Sequence, residues 1–110
     1  MKLVKCIVRP YKVEETTDAL KQIDVSGITV TPAGGRGRGE NPKQVYRCTE
    51  FSLRYRPQMM VDVVVSDELV DDVVRVVMEA ARTGKQGDGR VFVIPVEEAY
   101  TIRTRCGGPE

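Results

Sequence analysis

The chain has 110 residues with 17 basic and 16 acidic side chains, a formal net charge of +1, so no global field favours nucleic acid or a membrane surface. Its length is that of a single domain, 1–110, and no run of about 20 apolar residues is present to insert into a bilayer. Histidine is absent, which removes Ser-His and Cys-His nucleophile pairs, the usual zinc sites and the commonest general base.

From the N-terminus, "KLVKCIVRP" alternates Leu3, Lys5 and Ile7 with Val4, Cys6 and Val8, which predicts a central strand ended by Pro10. Lys5 and Arg9 interrupt any signal-peptide apolar region, so the start reads as mature protein and the cytoplasm is the expected location. "VEETTDALKQI" places Val13, Thr16, Thr17, Leu20 and Ile23 at helical spacing. "GITVTPAGG" is β-branched and predicts a second strand ending at Pro32 and the glycine pair. A polar, glycine-rich stretch follows before "MMVDVVV", Met59–Val65, which predicts a third strand.

Ser66 is then placed to cap a second helix, with Asp67 and Glu68 in its first turn, where the dipole favours negative charge. Its apolar face runs from Leu69 to Ala81, with Arg82 in the last turn and Gly84 as the stop. "RVFVIPV" predicts a fourth strand whose Pro95 fits an edge, and "YTIRT" a short fifth. The order β-α-β, long loop, β-α-β describes an α+β, ferredoxin-like βαββαβ sandwich. Both helices cover one sheet face. The other carries apolar residues that nothing in the chain covers, which implies self-association. Of the three cysteines, Cys6 reads as a small core residue, while Cys48 and Cys106 lie in polar segments with no CxxC spacing.

Two segments combine glycine with charge: "GGRGRG" at 34–39 and "TGKQGDGR" at 83–90. Glycines let backbone N–H groups close on an anion, and adjacent Arg or Lys side chains neutralise phosphate. Neither matches a Walker A or GxGxxG fingerprint, since neither leads a strand into a helix. The competing reading is structural: a C-cap glycine with a Gly-Asp-Gly turn, and an RG linker.

"TGKQGDGRVFV" closely resembles the C-terminal signature of the PII signal-transduction family. "RPYKVEETTDAL", "GITVTPAGGRGR", "YRCTEF", "MMVDVVVSDELVDDVV" and "TIRTR" fall in register with that family over nearly the whole chain. The resemblance implies a homotrimer with adenine nucleotides in the clefts between subunits, a T-loop at about 37–55 and a short tail at about 104–110. It also implies that base and ribose meet Ile7, Thr29, Asp62 and Val64, with Gly27 and Ile28 nearby. The phosphates would meet Gly35, Arg36, Gly37, Arg38, Gly87, Asp88, Gly89 and Arg90, joined by Arg103 of an adjoining subunit.

This chain departs from the family pattern at four positions. Gly39 stands where the family usually carries a metal-ligating glutamine, Gln58 where a lysine is expected, Thr101 where an arginine is, and Phe51 where the uridylylated tyrosine is. ADP or AMP therefore becomes a better expectation than Mg-ATP with 2-oxoglutarate. The "RCGGPE" tail resembles PII-like proteins attached to inorganic-carbon uptake and carboxysomes, which brings in bicarbonate as a further ligand at the glycine-rich base and carboxysome association as an alternative location. The leading expectation is a non-enzymatic regulatory module with no resident cofactor or metal. Its T-loop would engage a protein target, whether transporter, metabolic enzyme or carboxysome component. A conventional nitrogen-regulatory PII protein is the alternative. A small enzyme would need Asp62, Asp88 or Glu50 as its base. RNA binding, suggested by "RGRG", lacks the strand aromatics on which bases stack.

Overall fold

The structure is a computed structural model and describes residues 1–25, 27–36, 43–46, 49–52 and 56–108. Strands β1 (Lys2–Val8), β2 (Ile28–Gly35), β5 (Arg56–Val65) and β6 (Arg90–Pro95) form one antiparallel sheet in the order β2-β5-β1-β6. Helices α1 (Val13–Gln22) and α2 (Val70–Ala81) pack on one of its faces. This is the ferredoxin-like α+β arrangement that the element order implies.

Side-chain alternation decides which face is buried. Val4, Cys6 and Val8 of β1 and Val61, Val63 and Val65 of β5 point to the helices and are almost fully buried. They meet Leu20 of α1 and Val73, Val77 and Ala81 of α2. Thr16 shares that core because its hydroxyl donates to the Lys12 carbonyl at 2.8 Å, leaving no polar atom unsatisfied. Burial pushes the Cys6 thiol up to about 12, with the Asp62 carboxylate adding to the effect, so Cys6 is an inert packing residue.

The opposite face is built in cross-strand rows. Thr29, Asp62, Lys5 and Phe92 make one, and Thr31, Met60, Ile7 and Arg90 the next. Phe92 and Ile94 of the edge strand are 40% and 38% exposed on this face. As expected, neither helix covers it.

Several boundaries differ from the sequence reading. β2 continues through Pro32 to Gly35, because β2 is an edge strand and a missing N–H there interrupts no inner ladder. β5 begins at Arg56, three residues before Met59, since its partner β2 is longer too. Ser66 makes no capping hydrogen bond; a 3₁₀ turn, Asp67–Leu69, precedes α2. Asp67 accepts instead from the N-terminal ammonium at 2.8 Å, and that bond, with Lys2 beside it, lowers its pKa. α2 ends at Ala81, Arg82 is already extended, and Gly84, with φ +88°, serves the turn beyond.

Within the predicted loop, β3 (Lys43–Tyr46) and β4 (Thr49–Ser52) pair as a hairpin. Near the C-terminus, β7 (Tyr100–Thr101) pairs with β8 (Cys106–Gly107), so the short fifth strand belongs to a separate hairpin and not to the main sheet. Among the described residues no helix is long and apolar enough to cross a membrane.

Leu20 is fully buried between the two helices and the sheet. Leu20→Ala is expected to destabilise the fold by about 2–5 kcal/mol, measured by urea unfolding with an unchanged m-value.

Candidate functional site

The turn between α2 and β6 is organised by one carboxylate. Asp88 Oδ2 accepts the Thr83 and Gly84 backbone N–H groups, each at 2.8 Å. Its Oδ1 accepts from the Thr83 hydroxyl and from Arg9 Nε, the latter at 3.0 Å. These bonds, led by the Thr83 hydroxyl and joined by the Thr83 N–H, Arg9 and the Gly84 N–H, hold the Asp88 carboxyl well below the usual carboxylate range. Arg9 stands just past the end of β1 and also donates through Nη2 to the Gln86 carbonyl at 2.7 Å. The turn is thereby strapped to β1 at both its carboxylate and its backbone.

Glycine is required at two places. Gly89 has φ +100°, and a Cβ there would lie 1.7 Å from the Ile7 carbonyl oxygen. Gly87 has φ +96°, and a Cβ would lie 1.7 Å from Arg56 Nη1. The loop thus lies directly on β1, with its backbone under a guanidinium. Arg90 is exposed at the start of β6, 5.7 Å from the Phe92 ring.

On the open sheet face Lys5 Nζ donates to Asp62 Oδ2 at 3.2 Å. Asp62 Oδ1 is buried and has no hydrogen-bond partner among the described residues. A buried carboxylate oxygen left without a donor is costly, so it marks a place where a donor from outside the chain is favoured.

The sequence-predicted site residues separate into groups. Ile7, Asp88, Gly89 and Arg90 line one cavity of about 180 Å³ against α2. Val64 and Arg103 line another of about 450 Å³ with Gly27 and the 99–102 segment. Thr29 stands opposite Asp62, and Gly35 opposite Arg56, across the β2–β5 pairing. Arg36 is exposed just past β2. Gly37 and Arg38 lie outside the described residues, as do Gly39 and Cys48. One copy of the chain therefore divides the candidate residues between two cavities and the β2–β5 pairing. Among the described residues no cluster of three acids or cysteines is placed to hold a metal.

Sequence reasoning missed Arg9 and Arg56. In the sequence Arg9 reads as a charge interrupting an apolar run, and Arg56 sits in "RYRPQ", whose polarity reads as loop. Their signal is three-dimensional: both guanidiniums converge on the Gln86 carbonyl, the second through Arg56 Nη1 at 3.2 Å.

A folded-state pKa below the unfolded value stabilises the fold wherever the unfolded carboxylate is ionised, above roughly pH 4. That contribution is lost as pH falls from about 4 through the lower folded value. Asp88→Asn is therefore expected to lower Tm by several degrees at pH 7, with a smaller penalty at pH 2, in thermal melts across that range.

The family model for the nitrogen regulatory protein P-II matches residues 1–106. The nitrogen regulatory protein P-II of Azospirillum brasilense is 40% identical over 104 residues, covering 94% of this chain and 93% of that protein. The nitrogen regulatory protein GlnK of Escherichia coli K12 gives the same identity and coverage. The P-II protein of Bradyrhizobium diazoefficiens is 38% identical over 108 residues, 98% of this chain and 96% of its own length. With the ferredoxin-like sheet, the glycine turn and its strap in place, a match over this much of the chain leads to one conclusion: the chain belongs to the nitrogen regulatory P-II family of signal-transduction proteins.

Proposed function

We propose that this chain is a nitrogen-regulatory protein that binds an adenine nucleotide between subunits of a trimer and reports occupancy to a protein target through the loop at about 37–55. The observation that carries this reading is the orientation of Asp88. It is the sole acid of the 83–90 turn, and its charge is committed inward to four donors. The outward side of the turn is left to backbone groups, Lys85 and Arg90, an environment suited to phosphate oxygens.

The neighbouring sheet face suits the rest of the ligand. Asp62 and the Ile7–Arg90 row are one same-face step apart, about 7 Å, so a molecule with a polar head at Asp62 Oδ1 can extend toward the turn. A ribose hydroxyl or an amino group supplies the donor that Oδ1 lacks. The division of Arg90 and Arg103 between two cavities of one copy fits a cleft completed by a neighbour. The uncovered apolar sheet face fits the same assembly.

The regulatory setting follows the relatives, which are named nitrogen regulatory proteins. The inorganic-carbon reading, with bicarbonate as ligand and a carboxysome location, rests on the C-terminal tail and gains no support from them. No reaction is proposed: Asp62 and Asp88, the described acids beside the glycine turn, are tied to Lys5 and to the turn itself. Gly39 and Gln58 bear on ligand choice, because neither supplies the metal ligand or cation that the family carries there.

Calorimetry on the purified chain is expected to show ADP or AMP binding without Mg²⁺. Arg90→Ala and Arg103→Ala should each weaken ADP binding about tenfold or more, and 2-oxoglutarate should leave Mg-ATP affinity unchanged. Unaltered ADP affinity in both variants, or a strictly monomeric protein by sedimentation, overturns the reading.

A further inference from the structure

We propose that Arg56 is the cation with which this chain grips the terminal phosphate of its nucleotide, in place of the lysine that the family resemblance leads one to expect at position 58. The proposal rests on the nucleotide reading above and assigns one residue within that site.

Arg56 is the first residue of β5, opposite Gly35 in the β2–β5 register, so it adjoins the first glycine-rich segment. Its guanidinium crosses to the second: Nη1 donates to the Gln86 carbonyl at 3.2 Å and overlies Gly87, whose missing Cβ leaves the space that the guanidinium occupies. Arg56 therefore stands between the two segments whose backbone and charge suit phosphate.

Gln58 is not placed to do this. It lies on the same face of β5, one step closer to Asp62, and its amide is turned onto Gly35, where a Cβ would lie 1.9 Å from Oε1. It fills space above that glycine and brings no charge. A guanidinium also differs from an ammonium in what it can do here. Its planar fork presents donors in several directions and matches phosphate oxygens in pairs, where an ammonium acts as a point charge.

The test is calorimetric titration of the full-length protein and its Arg56→Gln and Arg56→Lys variants with ADP and with adenosine. The expected result is a loss of about ten- to a hundredfold in ADP affinity for Arg56→Gln, with adenosine affinity unchanged and Arg56→Lys intermediate. ADP binding by Arg56→Gln at wild-type strength overturns the assignment and leaves the nucleotide reading standing. Equal losses for ADP and adenosine also overturn it, because they show a misplaced turn and not a lost phosphate contact. A wild-type protein that binds neither ligand removes both proposals together.

Discussion

A single carboxylate sets the geometry of this molecule's glycine turn. Asp88 takes two backbone N–H groups, a hydroxyl and a guanidinium. A flexible segment with glycines at 84, 87 and 89 would otherwise sample many conformations at little cost. Charge-assisted bonds hold it in one, and the Arg9 partner fixes that conformation relative to β1. Gly89 then lies directly on the Ile7 carbonyl, so turn and sheet form one rigid surface.

That arrangement reverses the simplest view of the motif. An aspartate in a glycine-rich turn invites a direct role in ligand binding, yet a carboxylate facing an anion would repel it. Held by four donors, Asp88 organises the turn and has its charge met from within the chain. The contrast with Asp62 is instructive. Asp62 has one oxygen paired with Lys5 and the other buried without a donor. One acid is satisfied from within the chain, and the other keeps an oxygen without a donor among the described residues.

The buried core lies apart from the long connection between β2 and β5. Burial of the β1 and β5 valines against α1 and α2 stabilises the sheet, while the 37–55 segment enters and leaves it through β2 and β5. Gly35 and Arg56 are paired at that junction.

The sequence by itself determined the element order, the buried face of β1 and β5, and both glycine-rich segments, because alternation, helical spacing and glycine content are local properties. "TGKQGDGRVFV" and its companion motifs also carried the family. Boundaries were less legible. Pro32 reads as a stop but is tolerated because β2 turns out to be an edge, and Ser66 reads as a cap although the N-terminal ammonium takes up Asp67. Only the tertiary structure decided that Asp88 faces inward and that Arg9 and Arg56 share the Gln86 carbonyl. Those contacts join residues 30 and 77 positions apart, and no periodicity records which distant partner a long, flexible cation will find.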